Sequence, residues 1–198
     1  MPHRYTDVDR MILLRWTEVI GLREAFDDLL DRMKSVVGDT LAKVAIQARE
    51  RGFSCDFSAK DPSIWFWKKE WETRGKEPGI SILIRDFAPR GYGKVRDPHP
   101  WSYLDIREAG RLKIRDRIGF SNAIRAGLDP ALRSKWEVAD AGLDDYPVGL
   151  ISREVEEAER VRWMGEPGEL LQFLVARLDE AQEIVGAVDK ALETVGRP

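Results

Sequence analysis

Residues 167–196, PGELLQFLVARLDEAQEIVGAVDKALETVG, decide how the chain is built. Leu171, Leu174, Leu178, Ala181, Val185, Val188, Leu192 and Val195 follow one another in steps of three or four. All eight side chains therefore line one stripe of a single helix. Leu170, Ile184 and Ala191 widen the stripe on one flank, beyond what a two-stranded seam requires. That width predicts burial against a second helix and a further element, the sheet. Pro167 suits the first turn and Gly196 a C-terminal stop.

A comparable ladder occupies the other end of the chain: Ile12, Val19, Leu22, Phe26, Leu29, Met33 and Val36. Thr6, Asp7 and Asp9 form its start, a hydroxyl cap followed by acids at the positive end of the helix dipole. Near Val36-Val37-Gly38 the register slips by one residue and continues as Val37, Leu41, Val44 and Ala48, with Arg51-Gly52 as the stop. Unbroken, this helix would run about 65 Å at ~1.5 Å per residue, so a bend or break is expected near Gly21 or Gly38. Antiparallel pairing of the two terminal helices is the simplest arrangement. A homodimer built from the same ladders competes with it, because a stripe does not name its partner.

Between the helices the pattern changes to strands. Phe53–Ser58 alternates apolar and polar residues, Ser63–Trp71 is aromatic on both faces, and Ile80–Phe87 is a β-branched run. Their short separations predict an antiparallel meander. Residues 88–102, with three prolines and two glycines, read as an irregular or hairpin-like connection. Residues 103–135 stay ambiguous, because Leu104/Ile106 alternate like a strand while Arg107–Ile118 also admits an amphipathic helix. Short strands are expected at 136–138 and 148–151. The resulting fold class is α+β, a mainly antiparallel sheet packed against long N- and C-terminal helices that pair antiparallel. It forms a single domain with a helix over 6–52, a sheet region over 53–150, a short helix over 152–164 and the last helix over 167–196.

Composition narrows the function classes. No apolar run approaches the ~20 residues of a membrane span. The opening Met-Pro-His-Arg-Tyr-Thr-Asp lacks the apolar core of a secretory signal, and Cys55 is the sole cysteine. The expected compartment is the cytoplasm. The net charge of −3 conceals an asymmetry: twelve Arg/Lys against six Asp/Glu over 85–135, and six against fifteen over 136–198. The basic stretch can attract phosphates, but the chain's own acidic third is already attached and short of partners.

Little in the sequence carries catalytic chemistry. His3 and His99 have no Cys or His at metal-ligand spacing, so no metal or cofactor is expected. Cys55 sits at an inward strand position as a small core side chain. Gly91-Tyr92-Gly93-Lys94 lacks the glycine spacing and Lys-Ser/Thr ending of a phosphate loop. Trp65, Trp67, Lys69 and Trp71 would share one face of a continuous strand, and aromatic rings interleaved with lysine can stack bases. Arg90, Lys94, Arg96, Arg111, Lys113, Arg115 and Arg117 could then supply phosphate contacts. The competing reading is that the tryptophans fill the core under the helices.

Trp65-Phe66-Trp67-Lys68-Lys69-Glu70-Trp71 and Gly79-Ile80-Ser81-Ile82-Leu83-Ile84, following a long helix, resemble PD-(D/E)XK nuclease-like domains over residues 53–105. The resemblance implies an Asp on one strand and an Asp/Glu-x-Lys on the next to bind Mg²⁺ and position water. No Asp or Glu here is followed two residues later by Lys. The nearest sequences, Glu72-Thr73-Arg74 and Asp105-Ile106-Arg107, end in Arg, which stays protonated. The resemblance thus implies a degenerate site and carries over no catalytic residue. The leading expectation is a non-catalytic interaction or structural protein engaging a protein partner or itself. The alternatives are nucleic-acid binding through 85–135 and a carboxylate-only Mg²⁺ enzyme using Asp56, Glu70 and Asp86.

Overall fold

The structure, a computed structural model, describes residues 6–60, 62–73, 78–85, 103–108, 114, 116–138, 148–154 and 166–195. The chain divides into two compact units, Met1–Val36 and Val37–Pro198.

The first unit is helical. α1 spans Asp7–Leu14 and α2 begins at Trp16, continuing to Glu50. The Thr6 hydroxyl accepts from the Asp9 amide at 3.2 Å, and the Asp9 carboxylate accepts from the Thr6 amide at 2.7 Å. This reciprocal cap fixes the helix start and holds the Asp9 carboxyl below its ordinary pKa. The expected break falls at Arg15, not at Gly21 or Gly38, which both remain helical. There the Arg15 amide is shared between the carbonyl oxygens of Met11 and Ile12, 3.2 Å from each.

The second unit is α+β. Its described strands are β1 (Ser54–Ser58), β2 (Ser63–Trp67), β3 (Ile80–Arg85), β4 (Tyr103–Glu108), β5 (Glu137–Val138) and β6 (Val148–Glu154). They form one antiparallel sheet in the order β1-β2-β3-β4-β6-β5. The ambiguity at 103–108 resolves to strand because β4 lies between two partners, pairing Ile106 with Ile82 and with Ile151. The expected strand over 63–71 stops at Trp67, and Lys69–Trp71 forms a single 3₁₀ turn instead. β6 absorbs residues 152–154 of the expected short helix, whose remainder, like loop 88–102, lies outside the described residues.

Among the described residues this unit also holds α3 (Arg117–Gly127), α4 (Pro130–Arg133) and α5 (Pro167–Val195), beside the C-terminal part of α2. Ile64, Phe66, Ile80, Ile82, Ile84 and Ile151 form one core with the apolar stripe of α5 and with Val37, Leu41, Val44, Ala45 and Ala48 of α2. The wide α5 stripe is covered as its width implies, by helix and sheet together. Its close helical neighbour is α3, where a Cβ added at Gly127 would lie 3.1 Å from the Ala187 Cβ. Arg51 is tied to Asp179 of α5 at 2.6 Å. Among the described residues no helix is long and apolar enough to cross a membrane.

α2 stops where its sequence says it should. The Phe53 amide donates to the Ala48 carbonyl at 2.9 Å and the Gly52 amide to that of Arg49 at 3.0 Å, a Schellman motif. Gly52 has φ +82°, in the left-handed region. Gly52→Ala should therefore cost about 1 kcal/mol of stability, read as a lower urea midpoint with an unchanged slope.

Candidate interaction face on the N-terminal helices

Residues 6–36 build a face before they build a fold. Steps of three and four place Val19, Leu22, Phe26, Leu29, Met33 and Val36 on one side of α2, as in any core-facing helix. Over Val37–Ala48 the ladder is buried; N-terminal to Val37 no residue of α1 or α2 is. Leu22 is 71% exposed and Phe26 55%, and Val8, Met11, Leu14, Trp16 and Leu29 are also exposed. Most of the ladder's large apolar side chains from Val8 to Leu29 are thus open to water, with Ile12 and Val19 half-buried. The change coincides with the register slip at Val36–Gly38, a sequence signal that marks the unit boundary rather than a bend.

Charges flank the stripe in local i,i+3 and i,i+4 pairs. Arg15 lies 3.6 Å from Glu18, Arg23 3.8 Å from Asp27 and Lys34 3.4 Å from Asp31, all well exposed. Such pairs contribute a few tenths of a kcal/mol and let their side chains turn elsewhere at little cost.

The tryptophan surface is divided. Trp65 and Trp67 lie on β2 opposite Ile64 and Phe66 and are half-buried, with the Trp67 indole N–H donating to Glu72 at 3.1 Å. Lys69 is exposed on the 3₁₀ turn, which rotates Trp71 off the strand face into the core. The Trp71 indole N–H donates to Asp189 of α5 at 2.8 Å, and Lys68 pairs with the same carboxylate at 3.1 Å. The shared face of Trp65, Trp67, Lys69 and Trp71 therefore does not form, because period-two geometry ends with the strand. Trp71 serves the core.

The basic candidates are not gathered by any described element. Arg117 is the exposed first residue of α3, while Arg90, Lys94, Arg96, Arg111, Lys113 and Arg115 lie outside the described residues. Asp179 and Asp189 of the acidic third bind Arg51 and Lys68, neither of them from the 85–135 stretch. Arg125 and Arg133 of that stretch donate to backbone carbonyls, of Trp136 and of Ala126 and Leu128.

Asp56 is exposed on β1 and Glu70 exposed on the 3₁₀ turn; Asp86 lies outside the described residues. Among the described residues no group of three His, Cys, Asp or Glu side chains could hold a metal ion. The Cys55 thiol donates to the Ala45 carbonyl at 3.4 Å. Burial raises its pKa, with Arg49 opposing and Asp56 adding to the effect. It packs β1 on α2 and is a poor nucleophile. Comparison with protein-family models, with curated proteins and with solved structures finds no match to this chain.

Proposed function

We propose that this is a non-catalytic, cytoplasmic interaction or structural protein that engages a protein partner through the apolar face of residues 8–36. One observation carries the reading: a stretch of about thirty residues with core-type periodicity has no buried side chain. A single amphipathic helix draws most of its stability from packing of its apolar face, so a helix of this length calls for a cover. Burying a Leu, Val, Met or Phe contributes about 1.5–3 kcal/mol each, so six give on the order of 10 kcal/mol. Association costs an estimated 4–15 kcal/mol, so a partner must cover most of the ladder, not one or two residues. A helix laid along it meets that demand.

The combined substitution Leu22→Asp and Phe26→Asp tests this. In native gels of cell extract the wild-type chain should migrate in a complex well above its 22.7 kDa. The variant should migrate as a monomer and still unfold cooperatively in urea, because neither side chain is buried within the chain itself. Wild type and variant both running as monomers would refute the proposal.

A further inference from the structure

We infer that the partner is a second copy of this chain, its α2 aligned in parallel with the first to form a two-stranded coiled coil over residues 16–36. This rests on the proposed interaction face and names its occupant. With Val19, Phe26 and Met33 at the a positions, Leu22, Leu29 and Val36 fall at d, three unbroken heptads on the C-terminal side of the Arg15 break. Leu at d beneath a β-branched a residue such as Val19 favours two strands.

The flanking positions select the partner and its direction. In a parallel pair each g residue faces the e residue five positions further along the other copy. Glu18 then meets Arg23 of the second copy, opposite in charge, and Ala25 meets Leu30, apolar against apolar. By symmetry each contact forms twice. In an antiparallel pair with all six ladder residues in register, Arg23 faces Leu30 of the other copy and Ala25 faces Arg32, so no opposite-charge pair crosses the seam. Only the parallel alignment gains the Glu18–Arg23 attraction, which favours it over the antiparallel alternative. The internal partners of Glu18 and Arg23, at 3.6 and 3.8 Å and largely exposed, release them readily. A ladder that matches itself at both g–e′ positions of the seam fits a second copy better than an unrelated helix.

Sedimentation equilibrium on the purified full-length chain is the first test. The wild type should approach twice the 22.7 kDa of one chain at tens of micromolar, and Phe26→Asp should weaken the association at least a hundredfold. The second test reads direction. In a Cys55→Ala background, Leu22→Cys places a thiol at a d position, where parallel copies bring Cα atoms to within about the 4.4–6.8 Å of a disulfide. Oxidation should cross-link the two copies at residue 22. A dimer that fails to cross-link there overturns the parallel alignment. A wild type monomeric at every concentration overturns the second copy as occupant. If the cell-extract complex is nevertheless lost with the Leu22→Asp and Phe26→Asp double variant, the interaction face stands and only this inference falls.

Discussion

Leu178→Asp should abolish the fold. Leu178 is 0% exposed and sits mid-way along α5 within the core that joins helices and sheet. Removing the leucine side chain alone costs about 2–5 kcal/mol through lost burial and the cavity left behind. A carboxylate in its place adds the penalty of a buried, unpaired charge, several kcal/mol more, or must be neutralised at comparable cost. Domains hold only about 5–15 kcal/mol of net stability, so the sum consumes most or all of it. Far-UV circular dichroism should lose most of the helical signal in buffer, with no cooperative urea transition left. Leu178→Met, which nearly conserves volume, should cost less than about 1.5 kcal/mol. A cooperative transition for Leu178→Asp near the wild-type midpoint would show that α5 is not the centre of the core. Phe26→Asp lies on a similar ladder that is open rather than buried within the chain, and the two variants should respond through different observables.

Trp71→Ala should destabilise by about 3–5 kcal/mol, the range for emptying a large aromatic site. Trp71 is only 2% exposed, and its indole N–H and Lys68 share the Asp189 carboxylate of α5. Losing the indole removes packing and one of the two donors to that carboxylate at once. Trp65→Ala, at a half-buried position of β2, should cost markedly less. Urea denaturation of the two variants decides the matter. If Trp65→Ala proves the more damaging, the 3₁₀ turn is not what locks the Trp71 region to the last helix.

Much of this architecture is legible in sequence wherever one local rule acts alone. The stop at Gly52 needs only a left-handed position after a periodic run, and α5 needs only its wide stripe. β1, β2 and β3 follow from alternation and β-branching, and their meander from short separations. What escapes is set by neighbours. Leu104 and Ile106 alternate as in a strand while Arg107–Ile118 also admits a helix, and pairing of β4 with β3 and β6 extends the strand through Glu108. Trp71 continues an alternating pattern, yet the chain turns at Lys68 so that the indole can reach Asp189, 118 residues away in sequence. The break at Arg15 has no proline or glycine to announce it. The open N-terminal ladder was visible as a stripe but not as a surface, because periodicity reports that a face is apolar and is silent about what covers it.

The sheet ends on one side at β5, a strand of only two residues, and on the other at β1, whose Asp56 is exposed. β5 pairs with Ser152 and Ile151 alone of the seven residues of β6, so the guard against an incoming strand lies at the other margin, where the Asp56 carboxylate discourages stacking of further chains. Fibre growth by edge-to-edge templating is therefore poorly served by the β1 border.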